Sequence, residues 1–250
     1  MSVTSNDYLT VVRRAVDRVG SGQDDQKQQA ADLLAEAVAN GGVIQAFGCG
    51  HSEALAMEIA GRAGGLVPTN RIALRDIVLY GGEPLEALAD PAVERNPDIA
   101  HRLYELAPIK PDDVFVIASN SGINGAVVEM ALLVKERGHK LVAITSAEHS
   151  AGVESRHPSG RKLGEIADVV LDNGAPYGDA ALPLPGGGAV GAVSSITAAL
   201  LAQQIVTEVV ARLLAAGITP PVYLSDNVPG GKEHNAEIEA RYAGRIRRTA

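Results

Sequence analysis

Cysteine is nearly absent from this 250-residue chain, since Cys49 is the only one. A lone cysteine excludes an internal disulfide and any metal site built from several cysteines. Tryptophan is absent and aromatic residues make up 3% of the sequence, although 46% of the residues are hydrophobic. The core must therefore be built mainly from Ala, Val, Leu and Ile. Length and composition permit one large α/β domain.

Basic residues are also scarce, with 22 Lys and Arg against 30 Asp and Glu and a net charge of −8. This balance argues against a nucleic-acid surface. The segment Met1–Asn6 is polar and no short apolar region with a cleavage site follows it, so we expect a cytoplasmic protein. The six histidines are scattered and no His-Glu-x-x-His motif occurs. We therefore expect neither a metal nor a cofactor.

The stretch that organises the chain begins with the apolar run Val114–Ala118, which predicts a buried strand. Small polar residues follow it, and Gly125–Arg137 then has the apolar spacing of a helix. Such a turn points backbone N–H groups and the positive end of the helix dipole at one spot. Phosphate is the usual occupant of this arrangement. The simpler alternative is that Asn120 or Ser121 only caps the helix.

A second unit of the same kind starts with the predicted strand Gly42–Phe47, which runs into a glycine-rich turn and a helix from Glu53 to Arg62. A dinucleotide fingerprint would need a third glycine where Glu53 stands, so that motif is excluded. Gly50 would let a ligand approach the backbone closely. Ser52 is placed as a helix cap or as a ligand donor, and His51 as a turn residue or a ligand contact.

Alternating strands and helices predict a mainly parallel sheet covered on both faces, that is, a three-layer αβα sandwich. Ligands bind at the carboxyl ends of the strands in such sheets. The turns at Gly48 and Ser119, and the one at Ser146 after the predicted strand Leu141–Thr145, should therefore gather at one edge. The two helices predicted before residue 42 read as packing helices.

With these two strand–turn–helix units, the chain resembles the sugar isomerase (SIS) domain family of phosphosugar-binding proteins. The resemblance rests on Gly-Cys-Gly-His-Ser before one helix and Ser-Asn-Ser-Gly before another, and covers roughly residues 42–216. The family usually shows Ser-x-Ser-Gly-x-Thr at the second motif, where this chain has Asn124. The whole chain looks most like a group of stand-alone SIS proteins. The Gly-Gly-Glu at residues 81–83 is similar to the N-acetylmuramic acid 6-phosphate etherases.

The resemblance implies a domain of residues 42–216, preceded by packing helices in 1–41 and followed by a tail, 217–250, that completes the site or a dimer. It also implies a homodimer or larger homo-oligomer and a sugar phosphate substrate. The binding residues that we predict are Gly50, His51, Ser52, Ser119, Asn120, Ser121, Asn124 and Ser146. Glu83 would be the acid/base, and His234 is the histidine placed like the C-terminal one of SIS isomerases. Glu233, beside it, is the rival base.

A carboxylate within reach of C2 of an open-chain aldose phosphate can remove the acidic proton next to the carbonyl. Donors such as Ser would stabilise the resulting oxyanion. On the resemblance to the etherases, we expect elimination at C3 of an aminosugar 6-phosphate, such as N-acetylglucosamine 6-phosphate. Aldose–ketose isomerisation is the alternative enzyme function. A phosphosugar sensor without catalysis is the alternative from another class.

The most apolar segment, residues 189–216, contains Ser194, Gln203, Glu208 and Arg212, too many polar groups for an isolated membrane span. We expect a long helix that lies at or near a subunit interface, because so apolar a surface is rarely left in water. Light scattering at micromolar concentration should therefore report a dimer or larger assembly. A monomer under those conditions would reject the expectation.

Overall fold

The computed structural model describes residues 3–248 and contains a five-stranded parallel sheet. The strands of this sheet are β1 (Ile44–Gly48), β2 (Thr69–Ile72), β3 (Val114–Ala118), β4 (Lys140–Thr145) and β5 (Val169–Asp172). Their spatial order is β2-β1-β3-β4-β5. A separate antiparallel hairpin is formed by β6 (Ala180–Pro183) and β7 (Ala189–Ala192).

The helices connect and flank these strands. They are α1 (Ser5–Ser21), α2 (Asp24–Ala39), α3 (Glu53–Ile59), α4 (Asp76–Leu79), α5 (Asp98–Leu106), α6 (Gly125–Glu136), α7 (Ala147–Ala151), α8 (Ser194–Ala215) and α9 (Gly231–Ala240). Short 3₁₀ turns lie at Gly50–Ser52, Leu85–Leu88, Pro91–Arg95 and Leu163–Glu165.

Alternate residues of each strand enter opposite layers of the core. Ile44 and Val116 pack with α2, α3 and α8 on one face, and Phe47 and Ile117 pack with α5 and α6 on the other. All five residues of β1 and of β3 are buried, as expected for central strands covered on both faces. The predicted three-layer αβα fold with a parallel sheet is confirmed.

The strand order places a switch point between β1 and β3. From β1 the chain moves outward to β2, and from β3 it moves the other way through β4 to β5. Because such crossovers keep one hand, α3 and α6 cover opposite faces of the sheet. The carboxyl ends of β1 and β3 therefore flank a crevice, which is where open α/β sheets bind ligands.

The N-terminal helices are part of the main core. Leu34 of α2 and Val19 of α1 belong to the same buried cluster as Leu201 and Val209 of α8. By length and composition alone α8 could cross a membrane, with a mean hydropathy of 1.4. In this fold it contacts α1, α2 and α3 as a core helix. The division at residues 41 and 216, and the cytoplasmic location, stay predictions.

Two predicted helices differ in extent from the structure. The apolar segment that begins at Ala189 first forms β7, and α8 begins only at Ser194. Gly191 has a φ of +86°, and the glycines before it, at 186–188, also have positive φ, so a helix cannot start earlier. The amphipathic sequence after Asn235 predicts a final helix that reaches Arg248, whereas α9 ends at Ala240.

The residues after α9 cover the outer edge of β2. The Arg248 guanidinium donates to the carbonyls of Thr69 and Val67, at 2.9 and 2.7 Å. Asn70 accepts from the backbone N–H of Arg247 at 2.8 Å. The tail thus satisfies backbone groups that an edge strand would otherwise leave to water or to another chain.

Asp113, just before β3, is the centre of a buried polar network. Its carboxylate accepts the Val43 N–H at 2.9 Å and the Gln45 side chain at 2.8 Å, both from the β1 segment. It also accepts the Lys110 N–H at 3.0 Å and pairs with Arg245 of the tail at 2.5 Å. The Asp113 side chain is 0% exposed. One carboxylate thus holds β1, β3 and the C-terminal tail together.

We predict that Asp113→Ala lowers the free energy of unfolding by about 3–5 kcal/mol, because it leaves a buried guanidinium and several N–H groups without their acceptor. Urea denaturation followed by circular dichroism would measure this change. The matched control is Asp112→Ala, which removes an exposed carboxylate one residue away and should change stability by less than about 0.5 kcal/mol. Equal effects at the two positions would contradict the network's role.

Candidate functional site

A cavity of about 200 Å³ lies at the carboxyl ends of β1, β3 and β4. The turn and helix after β1, the turn after β3, the segment after β5 and the first turns of α8 form its walls. Its polar side chains include Ser52, Ser119, Asn120, Asn173 and Glu58. The two strand–turn–helix units identified in the sequence therefore meet at one cavity.

Glycines allow the tight backbone path of these two turns. A Cβ at Gly48 would lie 2.4 Å from the Ser52 carbonyl oxygen, so α3 can start directly above β1 only if this residue is glycine. Gly122 has a φ of +68°, a conformation that favours glycine, in the turn after β3. These positions keep Ser52 and Ser119 close to the ends of their strands.

The turn after β3 is fixed by hydrogen bonds to its neighbours. Ser119 is buried, its N–H donates to the Ile144 carbonyl at 3.0 Å, and its Oγ accepts the Gly122 N–H at 3.1 Å. Asn120 bonds to His149 at 3.1 Å and to Asn173 at 3.0 Å. Ser119 and Asn120 are thus held at the cavity wall by β4, α7 and the segment after β5.

Asn124 lies at the start of α6 but does not cap the helix with its side chain. Its amide donates to Glu94 at 2.8 Å, and its carbonyl oxygen accepts from Arg156 at 2.9 Å. The Glu94 carboxylate also approaches the first turn, since a Cβ at Gly50 would lie 3.5 Å from its Oε2. A carboxylate and a guanidinium therefore meet at the position where the family pattern has threonine.

Glu58 of α3 is the carboxylate in the cavity wall. Its Oε1 accepts the Gln203 amide of α8 at 2.7 Å and also pairs with Arg62. For Oε2, the described part of the chain provides no hydrogen-bond donor. One oxygen is thus fixed by Gln203 of α8 and by Arg62, just after α3, while the other is available to a ligand. This is the arrangement that a general base needs.

The structure places the other predicted binding residues in three ways. His51 lines the cavity and is exposed. Gly50 and Ser121 lie in the two turns but do not line the cavity wall. Ser146 is fully buried: its Oγ donates to the Ala175 carbonyl at 2.7 Å and accepts the His149 N–H at 2.9 Å. Ser146 thus starts α7 and acts on the site through His149.

The predicted catalytic residues are not brought together within one chain. Glu83 is exposed, its N–H donates to the Ile77 carbonyl at 3.1 Å, and it is absent from the cavity wall. Glu233 and His234 lie on α9, where the His234 ring bonds to the Val222 carbonyl at 3.0 Å. The segment before α9 contacts residues 64–67, at the amino end of β2, away from the cavity. Their catalytic roles stay predictions.

Three groups at the site were missed by the sequence analysis. Glu58 lies seven residues, about two helical turns, after His51, and this spacing could have indicated a shared face. Glu94 and Asn173 had no such signal, because tertiary packing alone brings them to the two turns. Asn173 reaches Asn120 across 53 residues of sequence.

Cys49 is buried beneath the first turn, on the α5–α6 face of the sheet. Burial, and then the nearby carboxylates of Glu94 and Glu53, hold the pKa of its thiol far above the usual range. The thiol therefore remains protonated and serves as a small apolar core group rather than a nucleophile.

An α/β protein with its cavity at the switch point of a 2-1-3-4-5 sheet belongs to a class that binds ligands through strand–turn–helix units. The sequence profile of the SIS domain matches residues 7–146. A UPF0309 protein of Listeria monocytogenes serovar 1/2a is 42% identical over 243 residues, covering 96% of this chain and 97% of that protein. The chain therefore belongs to the SIS domain family, among its UPF0309 proteins, which confirms the family resemblance.

Solved structures with the same fold include two phosphoheptose isomerases. GmhA from Neisseria gonorrhoeae has a TM-score of 0.55 and 20% identity, covering 82% of this chain and 96% of GmhA. The enzyme from Francisella tularensis has a TM-score of 0.57 and 17% identity, covering 83% of this chain and 98% of that one. At these identities the likeness establishes the shared fold.

We predict that Cys49 in the folded protein reacts with a thiol reagent at least about a hundredfold more slowly than in the unfolded chain, because the thiol is buried and protonated. The rate at which a chromogenic disulfide reagent releases its coloured thiol at mildly alkaline pH would measure the reaction rate of Cys49 in each state. A cysteine at the exposed position Ala39, placed in a Cys49→Ser background, should react rapidly and serves as the control. Rapid native-state labelling of Cys49 would contradict its assignment to the core.

Proposed function

We propose that this protein is an enzyme that binds a sugar phosphate and removes the proton on C2, next to the sugar carbonyl. The observation that carries the proposal is the position of Glu58, a carboxylate with an available oxygen, in the same cavity as Ser52 and Ser119. A base and a set of hydroxyl donors at the switch point are the groups that such a reaction requires.

The phosphate would bind at the turn of residues 119–124. The start of α6 supplies the positive end of a helix dipole there, and the hydroxyls of Ser119 and Ser121 would donate to the phosphate. The Asn124 amide, one N–H of which donates to Glu94, would donate its other N–H. Ser52, across the crevice, would contact the sugar hydroxyls. Support comes from the phosphoheptose isomerases, which by name act on a phosphorylated sugar and share this fold.

Isomerisation is the reaction that these groups favour. Glu58 would remove the C2 proton of the open-chain aldose, and hydroxyl donors would stabilise the enediolate oxygen. Glu58 would then return the proton to C1 while the O2 proton passes to O1, which leaves the carbonyl at C2. This order differs from the sequence expectation, which favoured elimination on the strength of Glu83. The change follows from the absence of Glu83 from the cavity wall.

Elimination at C3 of an aminosugar 6-phosphate, such as N-acetylglucosamine 6-phosphate, is the second candidate. It needs an acid near the C3 oxygen in addition to the base at C2. Glu94 is a candidate for this acid, because its carboxylate accepts from Asn124 and lies beside the Gly50 turn. A phosphosugar sensor would use the same binding groups without proton transfer.

Assembly belongs to the same proposal. A homodimer or larger homo-oligomer would allow His234 and Glu233 of one copy to approach the site of another. Within one chain the segment 217–250 instead packs on the β2 edge through its described part, residues 217–248. The proposal includes no nucleic-acid or membrane partner.

The test is proton exchange in deuterated water with a panel of sugar phosphates that includes N-acetylglucosamine 6-phosphate. We expect deuterium to enter the substrate carbon next to the carbonyl, and Glu58→Gln to slow this exchange by about two to four orders of magnitude. Binding should persist in the variant, because other residues hold the phosphate. NMR of the product would distinguish a ketose from an unsaturated sugar.

Glu83→Gln is the matched comparison, since it makes the same change at the carboxylate that the etherase pattern favours. Full exchange in Glu58→Gln together with loss in Glu83→Gln would transfer the role of base to Glu83. Binding of phosphorylated sugars without any exchange in the wild-type protein would reject the enzyme and leave the sensor.

A further inference from the structure

The cavity wall contains a carboxylate but no permanent cation. Among the described residues that line it, Glu58 is acidic, His51 is the one basic side chain, and no Lys or Arg is present. A sugar phosphate carries close to two negative charges at neutral pH. Backbone N–H groups and hydroxyls can bind it, but a guanidinium that matches the phosphate oxygens would strengthen binding most.

The loop between α7 and the 3₁₀ turn at Leu163–Glu165 brings a guanidinium to the turn of residues 119–124, the proposed phosphate site. We propose that Arg156 is the residue that pairs with the substrate phosphate, and that the contact between His157 and Glu129 holds it in place. The inference rests on the proposed function, because it concerns the same phosphate. It adds a binding residue and a positioning residue to that site.

Arg156 forms two hydrogen bonds to the turn of residues 119–124. Its backbone N–H donates to the Ile123 carbonyl at 3.1 Å, and its Nη1 donates to the Asn124 side chain at 2.9 Å. Within residues 3–248, the remaining guanidinium N–H groups have no hydrogen-bond acceptor. Arg156 is exposed, so these donors can reach an anion seated at the start of α6.

His157 anchors the loop to α6. Its Nε2 lies 2.7 Å from Oε2 of Glu129, and the residue is only 9% exposed. The Ser159 N–H donates to its Nδ1 at 3.1 Å, and the Ser159 Oγ lies 2.8 Å from the same nitrogen. Because Glu129 lies one helical turn after Gly125, its contact with the histidine fixes the loop beside the turn that Arg156 reaches.

Glu129 binds two histidines, so the effects of replacing each of them can be compared. Its other oxygen, Oε1, binds His101 of α5 at the same distance of 2.7 Å. His101 is about half exposed and belongs to a helix rather than to the loop. If His157 acts only by partnering Glu129, replacing either histidine should have the same effect. If it positions Arg156, only the His157 variant should weaken phosphate binding.

The experiment measures the Kd of inorganic phosphate and of N-acetylglucosamine 6-phosphate by calorimetry at fixed ionic strength. Arg156→Gln should weaken both by about ten- to hundredfold, the effect of losing a charge-assisted pair. The affinity of Arg156→Lys should lie between those of the wild-type protein and of Arg156→Gln, because lysine keeps the charge but lacks the planar guanidinium. Arg161→Gln removes the same charge from the same loop, where Arg161 bonds to the Glu165 carbonyl at 2.7 Å, and should change Kd less than twofold.

The positioning role is tested by a double-variant cycle. His157→Ala should weaken phosphate binding by about three- to tenfold in the wild-type background and have no further effect with Arg156→Gln present. His157→Gln, which keeps an N–H donor for Glu129, should restore part of the affinity. His101→Ala should leave Kd unchanged. If His157→Ala instead lowers affinity by destabilising the whole protein, its effect should add to that of Arg156→Gln in the double variant. Thermal unfolding of each variant would detect such destabilisation.

The outcomes separate this inference from the proposed function. Unchanged phosphate affinity in Arg156→Gln, with affinity lost in Ser119→Ala/Ser121→Ala, would overturn the inference and leave the proposed function standing. Equal effects of His157→Ala and His101→Ala would overturn the positioning role. A wild-type protein that binds neither phosphorylated probe would contradict both proposals.

Discussion

The buried carboxylate of Asp113 is the constraint on which the geometry of the site depends. It binds the N–H of Val43 and the side chain of Gln45 before and within β1, and it stands immediately before β3. β1 and β3 are also the strands whose far ends carry the Gly48 and Ser119 turns. Because paired strands are stiff, a register fixed at the amino ends is transmitted to the carboxyl ends. The distance between Ser52 and Ser119 is thus set from the opposite edge of the sheet.

The same carboxylate pairs with Arg245 and so couples the tail to the sheet. Burying this pair is costly, and the hydrogen bonds from Val43, Gln45 and Lys110 offset the cost by sharing the charge. The tail in turn covers the edge of β2 through Arg248. The contacts that cover the β2 edge and those that join β1 to β3 therefore belong to one network. A substitution in either set of contacts should also alter the other.

Much of the fold follows from patterns that are local in the sequence. The continuous apolar run Val114–Ala118 forms a fully buried strand with the predicted limits. Parallel strands that end in polar turns must place those turns at one edge, and Ser52, Ser119 and Asn120 do meet there. The hairpin of β6 and β7 was not predicted, because its Ala-, Gly- and Pro-rich sequence lacks the β-branched residues typical of strands.

The acidic residues in and beside the cavity wall were less predictable, because tertiary packing decides which of many carboxylates come near it. Glu83 follows a Gly-Gly pair that resembles a known motif, yet Gly81 packs against Leu106 at the end of α5. Glu94 was unremarked in the sequence, yet the 3₁₀ turn that carries it passes beside the start of α6, where a Cβ at Gly125 would clash with the Arg95 carbonyl. Motif resemblance identified the turns, whereas packing selected the carboxylates.

The cavity wall is divided between two parts of the chain. The turns at Ser52 and Ser119 lie inside the SIS profile match, residues 7–146, whereas Asn173 and the α8 residues Ser194, Ser195, Ala198 and Ala199 lie beyond it. The part that identifies the family and the part that completes the cavity are therefore different segments of the chain. Substitutions in the first two turns of α8 would reshape the cavity wall without changing any residue of the profile match. A match to the profile therefore does not by itself define the shape of this cavity.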